Sequence, residues 1–423
     1  MKSAIPVQLP VSKSMGARFL VATYFARTLP ADPYFDDNDD LLVLQQALLA
    51  LYSDEQPIDY GNTPVDVHAS GTAFRFVAAV CASSPGADFV ITGTPRLCSR
   101  PMAPLLDILT QAGASVTPLG PGATGPYRIA GRRLAGGEFS IAGNISSQFI
   151  SALMLVAPSW HHGMKLHFTT PLVSRPYLEM TASLMQEFGI DVKLTDSFVH
   201  VSPGQYKVPE GYRVEADWSS ASFFYEACAL GAGNLLLENL VSPAVSRQGD
   251  SRCAEIFARL GVESRFTPQG AEISQEGQPV EMLEYDFTDC PDLVLPVAVA
   301  SLCRGIPFRF TGVANLRLKE SDRLEALRKE SLKLGYVVNI GDDTAEWQGE
   351  RTEAEASPVI ETYDDHRVAM SFAVAALLVG TITVSRPQVV EKSFANFWQQ
   401  LSSLPVSISP RRQEELYTIK KDY

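Results

Sequence analysis

Six times along the chain, a turn rich in serine or headed by aspartate leads into a stretch that is apolar almost all round. These read SKSMGARFLVATYFA from Ser12, SGTAFRFVAAV from Ser70, SSQFISALMLVA from Ser146, SSASFFYEACAL from Ser219, DLVLPVAVASL from Asp292 and DHRVAMSFAVAALL from Asp365. Their starts are 58, 76, 73, 73 and 73 residues apart. A segment of this length with apolar residues on every side is a helix buried on all faces rather than one lying on a surface. The Ser or Asp ahead of it supplies an N-cap. After each comes an amphipathic segment: DLLVLQQALLALY at 40–52, then MAPLLDILTQAGA, YLEMTASLMQEFGI, DSRCAEIFARLGV, SDRLEALRKESLKLGY and SFANFWQQLSSL. Four of these end at Gly113, Gly189, Gly261 and Gly335, suited to the left-handed position that closes a helix. Those glycines are 76, 72 and 74 residues apart, so an independent feature keeps the same register.

Short runs rich in Val, Ile, Thr and Phe between the helices, such as DFVITG, KLHFTT, NLLLENL, FRFTG and TITVSR, read as strands. The fold class is therefore α/β, built from six βα-type repeats with one buried and one amphipathic helix each. Six buried helices are too many for one core and fit two cores of three repeats. The domains expected are residues 12–215, and residues 216–423 joined by residues 1–11, whose QLPV reads as a strand belonging to the far half.

With 46% hydrophobic and 20% charged residues among 423, the chain can fill both cores. Lys and Arg number 35 against 48 Asp and Glu, and the net charge of −13 argues against nucleic acid as a partner. The start MKSAIPVQLP has no apolar signal core, and no apolar run approaches the roughly 20 residues of a membrane span. A cytoplasmic monomer without a membrane partner is expected. Cys81, Cys98, Cys228, Cys253, Cys290 and Cys303 show no paired spacing, so neither a metal site nor a disulfide framework is indicated, and no cofactor is expected.

Helix N-termini carry unpaired N–H groups and the positive end of the helix dipole, which favours anions. Near the six anchors stand Lys13, Arg18, Arg75, Arg100, Arg175, Lys319, Arg323, Arg367 and Lys392, a basic cluster in an acidic protein. Capping and an ordinary surface cation explain any one anchor. Six together point to ligands with several carboxylate or phosphate groups.

At these residues the chain resembles the enolpyruvyl transferases, and among them the 5-enolpyruvylshikimate-3-phosphate synthase family. The motifs are SKSMGAR (12–18), SGTAFR (70–75), PRLCSRP (95–101), SSQ (146–148), SRPY (174–177), DWSSAS (217–222), QGD (248–250), PD (291–292), NLRLKESDRL (315–324), DDHR (364–367) and Lys392. They run in family order over nearly the whole chain. The resemblance implies a two-domain inside-out α/β barrel with the active site in the cleft between the domains. It also implies transfer of the enolpyruvyl group of phosphoenolpyruvate to the 5-hydroxyl of shikimate 3-phosphate, releasing phosphate through a tetrahedral intermediate.

Carried over residue by residue, the resemblance puts shikimate 3-phosphate against Ser14, Arg18, Ser146, Ser147, Gln148, Ser174, Tyr177, Asn315 and Lys319, with Asp292 at its 5-hydroxyl. It puts phosphoenolpyruvate against Lys13, Gly71, Arg100, Gln148, Arg323, Arg367 and Lys392. Planar guanidinium groups suit carboxylate and phosphate oxygens, and a glycine lets the backbone approach a ligand. Asp292 is expected to accept the hydroxyl proton, and Glu320 and Lys13 to serve proton transfer at the methylene carbon. If KESDR is helical, Lys319, Glu320 and Arg323 share one face.

Four positions depart from the family pattern: Ala69 for a polar residue, Val11 for Gly, Leu293 for a small residue and Asp364 for Asn. None removes a charged catalytic residue. The nearest rival is the sister transferase acting on UDP-N-acetylglucosamine, which uses a loop cysteine. Cys98 lies two residues before Arg100, but the glycine-rich loop is absent. A non-catalytic scaffold that senses an anionic metabolite is the rival from another class, and it is expected to lack Lys13, Asp292 and Glu320.

Overall fold

The computed structural model describes residues 4–30, 35, 38–51, 64–411 and 415–422. The chain divides into two compact units, Met1–Ser12 with Glu215–Tyr423, and Lys13–Val214.

One local pattern generates both. A strand leads into a buried helix, a second strand returns parallel to the first, a second helix comes next, and an antiparallel hairpin completes a four-stranded sheet. In the Lys13–Val214 unit, one sheet has the order Val65–Asp66, Asp88–Thr92, Tyr127–Ala130, Ser115–Pro118. A second has Gly137–Ile141, Met164–Phe168, Phe198–Val201, Val192–Leu194. The other unit repeats this order in Leu283–Asp286, Phe308–Thr311, Thr344–Trp347, Asn339–Ile340 and in Val359–Ile360, Thr381–Ser385, Leu416–Lys421, Val406–Arg411. In every sheet the first pair is parallel and the others antiparallel.

The fifth sheet shows how the chain closes on itself. Its order is Ile5–Gln8, Leu235–Glu238, Gly270–Ser274, Glu263–Thr267, so the N-terminal strand fills the place that the preceding strand takes elsewhere. Val7, fully buried, anchors this strand in the core of the Glu215–Tyr423 unit, and burying such a side chain contributes about 1.5–3 kcal/mol. The strand lies at Ile5–Gln8, earlier than QLPV; Val11 makes only a single bridge, to Ala216. Pro10 has no N–H to extend the ladder. For the first repeat the described residues hold two helices, Lys13–Phe25 and Asp39–Leu51, and Tyr52 of the expected second helix lies outside them.

The buried helices of each unit pack on one another, with sheets outside. Lys13–Phe25, Gly71–Ser83 and Ser147–Val156 form one trio, and Trp218–Ala229, Val294–Arg304 and His366–Val374 the other. Gly113, Gly189, Gly261 and Gly335 all have positive φ, as the helix ends require. The last amphipathic segment is less helical than its pattern suggested. Only Phe397–Leu401 forms an α-helix, after the 3-10 turn Pro387–Lys392.

Candidate active site

The repeat places the start of each buried helix, with its cap, where polar residues gather. In the Glu215–Tyr423 unit, Asp292 lies in the 3-10 turn Pro291–Leu293 that opens helix Val294–Arg304. Three cations meet it: Arg323 Nη1 at 2.8 Å, Arg367 Nη2 at 3.0 Å and Lys319 Nζ at 3.4 Å. Arg323 is 2% exposed. It also donates to Asp365 through Nε at 2.8 Å and Nη2 at 3.3 Å, and to Glu320 Oε2 through Nη2 at 2.9 Å. Lys392 Nζ stands 3.8 Å from Glu320 Oε1. Asp365 caps helix His366–Val374 by accepting from the Arg367 N–H, and also accepts from Ser321 Oγ at 3.0 Å. Asp365 thus holds the Arg323 guanidinium and the backbone at Arg367, while Asp292 receives both guanidinium groups.

This arrangement sets the electrostatics. Burial by itself would raise the Asp292 pKa, but Arg367, Lys319 and Arg323 outweigh it and hold the carboxyl well below the usual range. Burial opposes the Arg323 cation, yet Asp365, Glu320 and Asp292 raise its pKa above the ordinary value. Asp250 behaves in the opposite way. Burial, then the proximity of Asp292, push it up to about 7 against the pull of Arg367 and of the Ser219 hydroxyl that donates to it.

KESDR is not the helical face its spacing suggested. Residues 319–322 lie between the 3-10 turn Ala314–Leu318 and helix Arg323–Lys333, and Lys319 is extended. The Asp322 side chain caps the helix by accepting from the Glu325 N–H at 3.1 Å, so the helix begins only at Arg323. Lys319, Glu320 and Arg323 are close because a bend folds the loop over the helix start, not because they share a helix face. Asn315 sits in the 3-10 turn with a buried Oδ1 that has no hydrogen-bond partner.

In the Lys13–Val214 unit, Lys13, Ser14 and Arg18 lie on the first helix. Lys13 Nζ pairs with Asp40 at 3.1 Å. Arg18, 3% exposed, donates to Thr181 Oγ1 at 2.7 Å, Ser14 O at 2.8 Å, Ser151 Oγ at 3.0 Å and Tyr177 O at 3.2 Å. Neutral oxygens alone make these bonds, and burial lowers its pKa to about 10. A buried guanidinium held this way suits an incoming anion. Arg18 therefore ties Ser14 on the first helix to Tyr177 on helix Arg175–Glu187.

Ser146 takes the N-cap position of helix Ser147–Val156 without a side-chain capping bond, so capping does not account for its hydroxyl. Gln148, one residue into that helix, accepts from Arg75 and donates to Thr72 Oγ1 at 3.0 Å. Gly71 opens the neighbouring helix behind the Ser70 cap, and a Cβ there would lie 2.9 Å from the Nη1 atoms of both Arg100 and Arg75. Ser174 is held at φ 54°, a left-handed conformation costly for a non-glycine residue, where the chain enters helix Arg175–Glu187. Cys98 is buried, its Sγ 3.5 Å from Gly93 O.

Several partners escaped the sequence reading. Asp40, Thr181, Ser151 and Asp365 hold Lys13, Arg18 and Arg323 from positions 27 to 163 residues away. The D-x-x-E pattern of Asp322 and Glu325, an N-terminal helix signal, was available to show that KESDR straddles a helix start.

A model of the EPSP synthase (3-phosphoshikimate 1-carboxyvinyltransferase) family matches residues 7–401. The 3-phosphoshikimate 1-carboxyvinyltransferase of Bacteroides fragilis strain YCH46 is 41% identical over 398 residues, covering 93% of this chain and 94% of the relative. That of Pseudoalteromonas atlantica is 34% identical over 337 residues, covering 79% and 77%. A solved structure, the EPSP synthase of Acinetobacter baumannii, matches with a TM-score of 0.71 at 22% identity, covering 98% of this chain and 97% of that one. That likeness supports the two-domain α/β fold. The chain belongs to the EPSP synthase family.

Proposed function

We propose that this chain is a 3-phosphoshikimate 1-carboxyvinyltransferase. It moves the enolpyruvyl group of phosphoenolpyruvate to the 5-hydroxyl of shikimate 3-phosphate, giving 5-enolpyruvylshikimate 3-phosphate and inorganic phosphate on the way to chorismate and the aromatic amino acids. Beyond family membership, the observation that carries this reading is Asp292 held by Lys319, Arg323 and Arg367 beside Glu320. This is a base and an acid set among cations suited to anionic substrates.

The 5-hydroxyl oxygen attacks C2 of phosphoenolpyruvate while its proton passes to Asp292, and C3 takes a proton to become a methyl group. In the resulting tetrahedral intermediate, the bond from C2 to the phosphate oxygen then breaks as Asp292 returns its proton to that oxygen, the methyl group loses a proton and phosphate leaves. Glu320 and Lys13 serve the proton transfers at C3. Asp292 is a weak base while three cations hold it. Phosphoenolpyruvate, drawing on Arg323 and Arg367 with its own carboxylate and phosphate, competes for those cations and raises the basicity of Asp292 as the substrate arrives.

Shikimate 3-phosphate is held by Ser14, Arg18, Ser146, Ser147, Gln148, Ser174, Tyr177, Asn315 and Lys319. Phosphoenolpyruvate is held by Lys13, Gly71, Arg100, Gln148, Arg323, Arg367 and Lys392. The reaction involves no net oxidation or reduction, and the proposal includes no cofactor. Action as a cytoplasmic monomer goes with this reading, as does the absence of a nucleic-acid partner, which the net charge of −13 supports. Among the described residues no helix is long and apolar enough to cross a membrane. The test is phosphate release from phosphoenolpyruvate with each acceptor in turn. Release with shikimate 3-phosphate and none with UDP-N-acetylglucosamine is expected, and the reverse would overturn the reading.

A further inference from the structure

The turn leading into helix His366–Val374 is held in an unfavourable conformation. The Asp365 N–H donates to Thr362 O at 2.8 Å, and the two residues inside this turn, Tyr363 and Asp364, have φ of 54° and 56°. Turns with two left-handed central residues are ordinarily made of Asn and Gly. A bulky side chain such as tyrosine there is a genuine outlier. Conformations like this persist only where their surroundings over-determine them, and they cluster where function needs a fixed geometry.

The surroundings supply such a hold. Tyr363 Oη donates to Glu330 Oε1 at 2.6 Å, and Glu330, with 0% exposure, also accepts from the Glu361 N–H at 3.1 Å and from Lys333 Nζ at 2.7 Å. Glu330 lies on helix Arg323–Lys333, the helix that begins at Arg323. On the other side Arg386, itself at φ 45°, reaches Asp364 at 2.7 Å. That pair is well exposed and adds little, so the half-buried Tyr363–Glu330 bond, whose acceptor is fully buried, is the principal restraint. The turn delivers the chain directly to Asp365, the carboxylate that receives Arg323 and caps the helix at Arg367.

We propose that Tyr363 is a positioning residue for the phosphoenolpyruvate half of the site: its bond to Glu330 latches the strained turn so that Asp365 presents Arg323 and Arg367 in their binding geometry. The bond joins the turn before Arg367 to the helix carrying Arg323, so it fixes the two arginines relative to each other. The inference rests on the assignment of both arginines to phosphoenolpyruvate.

The experiment compares Tyr363→Phe, the double variant Tyr363→Phe with Asp364→Gly, and Arg367→Lys by steady-state kinetics in both substrates. Tyr363→Phe removes only the hydroxyl, and KM for phosphoenolpyruvate should rise about tenfold while kcat and KM for shikimate 3-phosphate change less than about threefold. Glycine takes positive φ without cost, so adding Asp364→Gly should return KM to within about twofold of wild type. Arg367→Lys should raise KM for phosphoenolpyruvate whether or not the latch matters. If it does and Tyr363→Phe does not, the latch is overturned while the binding assignment stands. A defect in Tyr363→Phe that glycine fails to relieve marks a merely structural contact and also overturns it. An unchanged KM in Arg367→Lys overturns the assignment itself, and the latch with it.

Discussion

Gly71→Ala separates binding geometry from folding. Gly71 is the first residue of helix Gly71–Ser83, and its added Cβ would lie 2.9 Å from Nη1 of Arg100 and of Arg75. Ordinary contacts begin near 3.5 Å, so each guanidinium must withdraw by about 0.6 Å or more. Both are ends of flexible side chains, and the fold yields cheaply. The alanine also restricts the unfolded chain, which stabilises by about 0.4–1 kcal/mol where the native backbone suits it. Binding is affected differently. Arg75 is tied to Gly71 O at 2.9 Å and to Gln148, so displacing it disturbs Gln148 as well as Arg100. A hydrogen bond to a charged group contributes about 1.5–3 kcal/mol. Losing roughly half of one gives about a three- to twelvefold rise in KM for phosphoenolpyruvate, at about 1.4 kcal/mol per tenfold. Asp292 and Glu320 are untouched, so kcat should stay within about threefold. Phosphate-release kinetics and urea unfolding measure the two effects. Unchanged KM for phosphoenolpyruvate, or a stability loss above about 1.5 kcal/mol, would refute the reasoning.

Asp292→Asn and Glu320→Gln should each lower kcat by about a hundredfold or more, the scale of general acid–base contributions; a near wild-type rate across the pH range removes that residue from its role. Cys98→Ser should remain active, and an epoxide analogue of phosphoenolpyruvate should leave buried Cys98 unmodified; a covalent adduct with matching loss of activity would point to the sister transferase. Asp250 is raised by burial and by Asp292 to about 7, above its unfolded value of about 3.9. Its ionisation therefore disfavours the folded state from about pH 4 upward, fully above about pH 7. Asp250→Asn should gain in urea midpoint over wild type as pH rises from 5 to 8, and a difference constant with pH would contradict this.

Spacing carried most of the architecture. The anchors and terminal glycines recur because each repeat must bury one helix completely and end the next, and both demands leave local residue patterns. The cations of the site were legible too, since lysines and arginines near helix starts in an acidic chain need a reason. What holds them was not. Thr181 and Asp365 meet their partners only through the packing of separate repeats, Asp40 meets Lys13 through the packing of two helices of one repeat, and no local period marks such pairs. KESDR differs in kind, because its shared face depended on a helix that does not form there. Helical spacing of three and four residues fits a face, but the Asp322 cap starts the helix after Glu320, and capping outranked periodicity there. Asp364 in place of Asn also becomes intelligible. The position needs positive φ, which Asn and Asp tolerate better than most residues, and aspartate adds the contact to Arg386.

The central claim, enolpyruvyl transfer by addition and elimination with protonation at C3, is tested most directly by running the reaction in D2O and measuring product mass. A methyl group formed by deuteron addition can lose either isotope on collapse. The account predicts deuterium in the methylene of 5-enolpyruvylshikimate 3-phosphate alongside stoichiometric inorganic phosphate, with both suppressed in Glu320→Gln. Product formed without deuterium, or phosphate passed to the acceptor instead of released, would contradict it.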